Sequence, residues 1–230
     1  MALGILQTTS YDGFVKEKWH KWLPYIFMVL VGLSRWPGLF PSNFSALYGL
    51  AFCAGAFFPG LMKWWLPFGT LLVSDFCLDF YYLHRGYSVF DVPLLKYQLF
   101  NYVAFAALVL LGRCFNRRSS WLFLLSGGLL GAILFYLITN TASWFFNPFN
   151  NPEYTKDLAG WLRALTQGTA GWPQTWEFFR NTLMSGGLFT GLFAGAMKLT
   201  DSSESAEEKE PKEEAEKKPE GEAEPAPEGS

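Results

Sequence analysis

Apolar residues gather along the chain in six blocks separated by short polar stretches. The clearest lies within Ser119 to Pro152, 34 consecutive residues without a charged side chain. About 20 apolar residues suffice to cross the hydrocarbon core of a bilayer. Only helices and closed barrels satisfy their backbone in lipid, and strict period-2 alternation is absent from these blocks. The pattern therefore predicts an all-α, polytopic membrane helical bundle of about six spans. They run approximately over Trp22–Leu33, Phe44–Met62, Trp64–Leu83, Leu95–Gly112, Trp121–Phe146 and Phe178–Met197. The first is short and approaches a turn at Trp36–Phe40.

Charge divides the chain. Half of its 230 residues are hydrophobic and 19% aromatic, high for a domain in water. Residues 201–230 hold eleven Glu, one Asp and four Lys, so the overall net charge of −2 hides an acidic tail on a basic body. With no apolar periodicity, that tail is expected to be disordered. Three regions follow: a cytoplasmic segment 1–21, a six-helix membrane domain 22–199, and a disordered acidic cytoplasmic tail 200–230. The N-terminus lacks a small-x-small cleavage site before its first apolar block, so that block is expected to be an uncleaved anchor.

Orientation follows from Lys and Arg near the span ends. With the N-terminus inside, Lys16, Lys18, Lys21, Lys63, Arg113, Arg117, Arg118 and Lys198 fall inside, against Arg35, Arg85, Lys96, Lys156, Arg163 and Arg180 outside. Both termini are thus expected in the cytoplasm.

That topology sorts the polar residues by depth. Arg35, Asn43, Asp75, Asp79, Asn101, Asn140, Arg180 and Asn181 fall in the middle or outer part of the membrane, whereas the inner part is rich in glycine. Ionisable groups in a membrane are expensive and usually face a bundle interior or a water-filled cavity. Asp75 and Asp79 are four apart and share a helical face. Two arrangements would accommodate them. One is an outward-open cavity for a small polar or charged solute, with Asp75, Asp79, Asn140, Arg35, Asn43, Arg180 and Asn181 as candidate binding residues. The other is a buried ion-pair network that fixes helix register.

Small residues at four-residue spacing (Ala51 and Gly55; Gly127 and Gly131; Gly187, Gly191 and Gly195) suit close helix contact, either internally or with another subunit. Between the last two spans, Asn147 to Thr175 opens with a turn-rich NPFNNPEY, and Leu158, Leu162 and Leu165 then predict a short amphipathic helix at the surface or over the cavity.

Covalent chemistry finds little support. The chain has no Gly-x4-Gly-Lys-Ser/Thr phosphate loop, and His20 and His84 have no metal-binding partner at useful spacing. Cys53, Cys77 and Cys114 lie apart in apolar runs and read as packing residues. Asp75 and Asp79 share one helix, whereas intramembrane aspartyl proteolysis needs two. No catalysis, cofactor, metal or nucleic acid is expected; membrane lipid is.

An ordered set of residues carries a resemblance. Arg35, Pro37, Pro41, Asn43 and Phe44 form R-x-P…P-x-N-F ahead of ALYGLAFCAGAFF; then come Pro67, Ser74 and Asp75, LITNTASWFF around Asn140, Tyr154, and FFRNTL around Arg180 and Asn181. Over about residues 24–198 this resembles an uncharacterised family of bacterial six-span membrane proteins. That family is in turn similar to the substrate-binding S components of energy-coupling-factor vitamin transporters. The resemblance implies an inner-membrane protein with an outward substrate cavity, a transmembrane coupling subunit and two ATPases as partners. In S components an alanine-rich face of the first span docks the coupling subunit; here the small-residue face is clearest in the second. The expectation is a solute-binding subunit of an uptake transporter. The alternative is a non-transporting scaffold that acts through its acidic tail.

Overall fold

The structure, a computed structural model, describes residues 9–207, with side chains from Trp22 to Thr200. The described residues form seven helices and no strand: α1 (Thr9–Ser34), α2 (Leu47–Phe57), α3 (Met62–His84), α4 (Val92–Gly112), α5 (Trp121–Phe146), α6 (Leu158–Thr166) and α7 (Thr175–Glu207). α5 begins where the Ser120 hydroxyl accepts from the Phe123 N–H and ends at Asn147, whose φ of 39° is left-handed. The amphipathic helix expected after Asn147 is α6, capped by the Asp157 carboxylate accepting from the Gly160 N–H.

The second block departs from expectation. Instead of spanning Phe44–Met62, its helix covers only Leu47–Phe57, 11 residues. At 1.5 Å per residue that is about 16 Å, roughly half a hydrocarbon core. Its flanks explain this: Asn43 takes a φ of 61° on one side, and Pro59 precedes Gly60 with a φ of 56° on the other. Short as it is, α2 is the centre of the bundle. Ten of its residues are buried, and α1, α3, α4, α5 and α7 all pack on it.

Two described helices, α4 and α5, are long and apolar enough to cross a membrane. The six full-length spans are therefore not reproduced: α2 and the apolar part of α1, Trp22–Ser34, are short, and α3 and α7 are not apolar enough over a sufficient length. Large apolar side chains nonetheless point outward at helical spacing: Phe76 and Phe80 on α3, Leu99 and Val103 on α4, and Met184, Leu188 and Leu192 on α7. α7 also continues beyond Met197 to Glu207, into the stretch read as tail. Residues 1–8 and 208–230, and with them most of that acidic tail, lie outside the described residues.

Small residues close the half of the bundle where α2 ends and α5 begins. A side chain at Gly55 would run into the Val109 carbonyl oxygen, and one at Gly112 into that of Phe52, so α2 and α4 cross backbone to backbone. Gly128 of α5 meets the Thr190 side chain of α7. Gly191 of α7 packs on Trp121, whose indole N–H donates to the Gly191 carbonyl at 3.0 Å. The small faces of α2 and α5 are thus spent on internal crossings.

Candidate functional site

The opposite half is hollow. Between Ser34 and Leu47 the chain leaves the helix, turning at Gly38 (φ 85°) and Asn43. The Ser34 hydroxyl donates to the Val31 carbonyl at 2.8 Å and accepts from the Ala46 N–H at 3.0 Å, pinning both ends of this connection. Non-helical backbone is tolerated at membrane depth where it lines a cavity or lies buried in protein. This segment lines one of about 870 Å³, walled by α3, α4, α5 and α7 and by the loops after α5 and α6.

The cavity is layered. Tyr48, Phe105 and Phe135 form its floor, with ring centroids 5.7 Å apart for Tyr48–Phe105, 4.9 Å for Tyr48–Phe135 and 4.7 Å for Phe105–Phe135. Asn101 stands four residues from Phe105 towards the mouth, and Asn140 five residues from Phe135. The helical rise puts both amides about 6–8 Å above the floor. Trp36, Phe149 and Trp172 line the cavity from the loops.

Arg35 and Asp75 meet in the wall. The Arg35 guanidinium reaches Asp75 Oδ1 at 2.5 Å and donates to Ser74 Oγ at 2.5 Å, while the Tyr102 hydroxyl donates to Asp75 Oδ2 at 2.9 Å. Both side chains are largely covered, at 20% and 15% exposure. The cluster ties the end of α1 to α3 and α4, two helices that otherwise hardly touch. Asp75 has thereby placed both oxygens on protein partners.

The other sequence candidates divide. Asn43 and Asn140 line the cavity, and the Asn140 amide donates to the Tyr136 carbonyl at 2.9 Å. Asp79, Arg180 and Asn181 do not line it. Asp79 faces Gln98. Arg180 lies exposed with its guanidinium 5.6 Å from the Trp176 ring centre. Asn181 donates to the Ser42 carbonyl at 2.9 Å, bracing the non-helical segment from behind. Conversely, six lining tyrosines (Tyr48, Tyr82, Tyr97, Tyr102, Tyr136 and Tyr154) and Gln98 were not among the candidate binding residues, Tyr154 having entered only through the resemblance. The spacing of Tyr97, Asn101 and Phe105 along one face of α4 was the available signal.

The mouth is held by side-chain bonds. The Tyr136 hydroxyl donates to the Leu165 carbonyl, Trp161 to Thr141 Oγ1 at 3.1 Å, and Trp144 to the Thr155 carbonyl at 2.7 Å. Lys156 donates to the Trp144 and Phe145 carbonyls at 2.6 and 2.5 Å, satisfying the end of α5. Backbone N–H groups, its own and that of Ala170, hold the Glu153 carboxyl below the usual range. The Gly160 N–H and then the Thr155 hydroxyl do the same for Asp157. Both carboxyls bind protons less readily when folded. Their stabilising contribution is present above the ordinary carboxylate range and is lost as the pH falls through the lowered folded values. Hydrogen-exchange protection over residues 153–170 should therefore fall below about pH 4, and less steeply in Asp157→Asn, which keeps a capping oxygen without a titration. An equally steep fall in that variant would remove Asp157 as a cause.

The chain belongs to the family of unknown function DUF6580, which it matches over residues 16–209. No curated protein and no solved structure matches it.

Proposed function

We propose that this DUF6580 protein is a multi-pass membrane protein that binds a small solute, and that it serves as the S-component-like subunit of an uptake transporter. The carrying observation is the cavity of about 870 Å³ confined to one half of a bundle whose other half is closed by glycine crossings. That volume falls in the roughly 300–1,000 Å³ range of small-molecule sites. The outward-pointing apolar side chains of α3, α4 and α7 suit contact with lipid tails. The charge bias along the chain favours both termini in the cytoplasm of a bacterial inner membrane and the cavity mouth outside.

In this reading Arg35, Asn43, Asp75 and Asn140 belong to the wall, and Asp79 and Asn181 support it from outside, through Gln98 and Ser42. A cavity closed at one end is not a channel, so passage requires a change of shape. The chain carries no phosphate loop, and energy would come from a transmembrane coupling subunit and its ATPases. Because α2 spends its small residues inside the bundle, such a partner would dock on another face.

The test is affinity purification from the native membrane followed by mass spectrometry of co-purified small molecules and subunits. Retention of a discrete small molecule, lost in Asn140→Trp, is the expected outcome, and removing residues 201–230 should leave it unchanged. A preparation that retains no small molecule, while partner proteins are retained only with the tail present, would replace this reading by the scaffold.

A further inference from the structure

We infer that the cavity takes a solute without net charge, flat and apolar at one end and hydrogen-bonding at the other. This inference rests on the solute-binding reading and narrows it.

The lining comprises 38 residues, of which two, Arg35 and Asp75, carry charge. They cancel each other, and their bonds are already made. Asp75 gives one oxygen to the guanidinium at 2.5 Å and the other to the Tyr102 hydroxyl at 2.9 Å. Arg35 spends its other terminal nitrogen on Ser74 Oγ at 2.5 Å. A charged ligand would have to break this cluster or go without a counter-charge. A charge removed from water without a partner is heavily penalised, and removing one member of a buried pair strands the other. An uncharged ligand avoids both costs.

What the cavity offers instead is rings and amides. Fourteen of the lining residues are aromatic and five carry side-chain amides. The floor of Tyr48, Phe105 and Phe135 has no charged member and suits an apolar ring, through offset or edge contacts. Asn101 and Asn140 stand about 6–8 Å higher; Asn140 has one N–H on the Tyr136 carbonyl and Asn101 bonds Tyr97, and each amide has further hydrogen-bonding capacity for a ligand. A ligand that satisfies both layers has a flat apolar end and, one short molecular length away, neutral polar groups such as amides or hydroxyls.

The test uses matched triplets that differ in charge: N-acetyltryptophanamide, N-acetyltryptophan and tryptamine; nicotinamide, nicotinate and the pyridinium cation 1-methylnicotinamide. The full chain in lipid nanodiscs is equilibrated with each triplet and the retained compounds are quantified by mass spectrometry. Within at least one triplet the neutral member should be retained about tenfold above the charged ones. Asn140→Asp, checked for an unchanged melting temperature, should turn that preference towards the cation. Arg180→Ala, away from the lining, should leave it unchanged. Preferential retention of an anion or a cation by the unaltered protein would overturn the neutral-solute inference while leaving a solute-binding protein. Retention of no compound in either triplet, with none found in the native preparation, would overturn both.

Discussion

Asp75→Leu is expected to lower the stability of the bundle by about 3 kcal/mol, the low end of the cost of breaking a buried ion pair. For a chain of this size that is a melting-temperature loss on the order of 10 °C. The replacement strands the Arg35 guanidinium, covered to all but 20%, with Ser74 Oγ as its remaining side-chain partner. It also leaves the Tyr102 hydroxyl without its acceptor. Arg35→Met should cost a similar amount, because it strands the carboxylate instead. The double variant Arg35→Met/Asp75→Leu removes both charges and should recover most of the loss, since a buried pair replaced by apolar residues of similar size is often neutral. Tyr102→Phe should cost about 1 kcal/mol, one hydrogen bond. Thermal unfolding in a fixed detergent or nanodisc measures all four. Losses that simply add in the double variant would mean that Arg35 and Asp75 do not hold one another across the cluster.

The second large effect is at the crossing of α2 and α4. Gly112→Ala places a methyl against the Phe52 carbonyl oxygen, and Gly55→Ala places one against that of Val109. Backbone cannot rotate away as a side chain can, so the two helices must separate along their contact. Overpacking a dense core costs typically 1–3 kcal/mol, and the upper end is expected here. Gly131→Ala is the control. Its nearest neighbours would be Leu108 Cγ at 3.5 Å and Leu111 Cδ2 at 3.7 Å, ordinary contacts. Alanine is also the better helix former by about 1 kcal/mol, so this change should be neutral or stabilising. Equal melting temperatures for Gly112→Ala and Gly131→Ala would contradict the close crossing.

Some of this was legible in the sequence, for identifiable reasons. α5 follows from a run with no charge to interrupt it, and its ends coincide with Ser120 and Asn147, residues that favour helix termini. α6 follows from leucine spacing. α2 was over-extended because Phe44, Phe58 and Leu61 keep the hydropathy high where the backbone has already turned; hydropathy does not register a φ of 61° at Asn43. Arg35 and Asp75 each stood out because a charge is costly in an apolar segment, but that they pair with one another was not readable from the sequence. Asn181 was misjudged by one position: Asn181 braces Ser42 from behind, while its neighbour Thr182 lines the cavity. Adjacent helical residues point about 100° apart, and a sequence without neighbours does not say which direction is inward. The tyrosines were passed over because a tyrosine in an apolar helix looks the same whether it faces headgroups, a core or a cavity.

The brevity of α2 also bears on how such a protein comes into being. Its 11 residues cover about half the thickness that a segment needs to rest in lipid alone. They leave the ribosome before α4, α5 and α7, which enclose them in the finished bundle. In the proposed membrane topology, Leu47–Phe57 would therefore have no settled home in the bilayer during synthesis. Its integration would then be a late, partner-dependent event, with the early half of the chain waiting for the later half before biogenesis is complete.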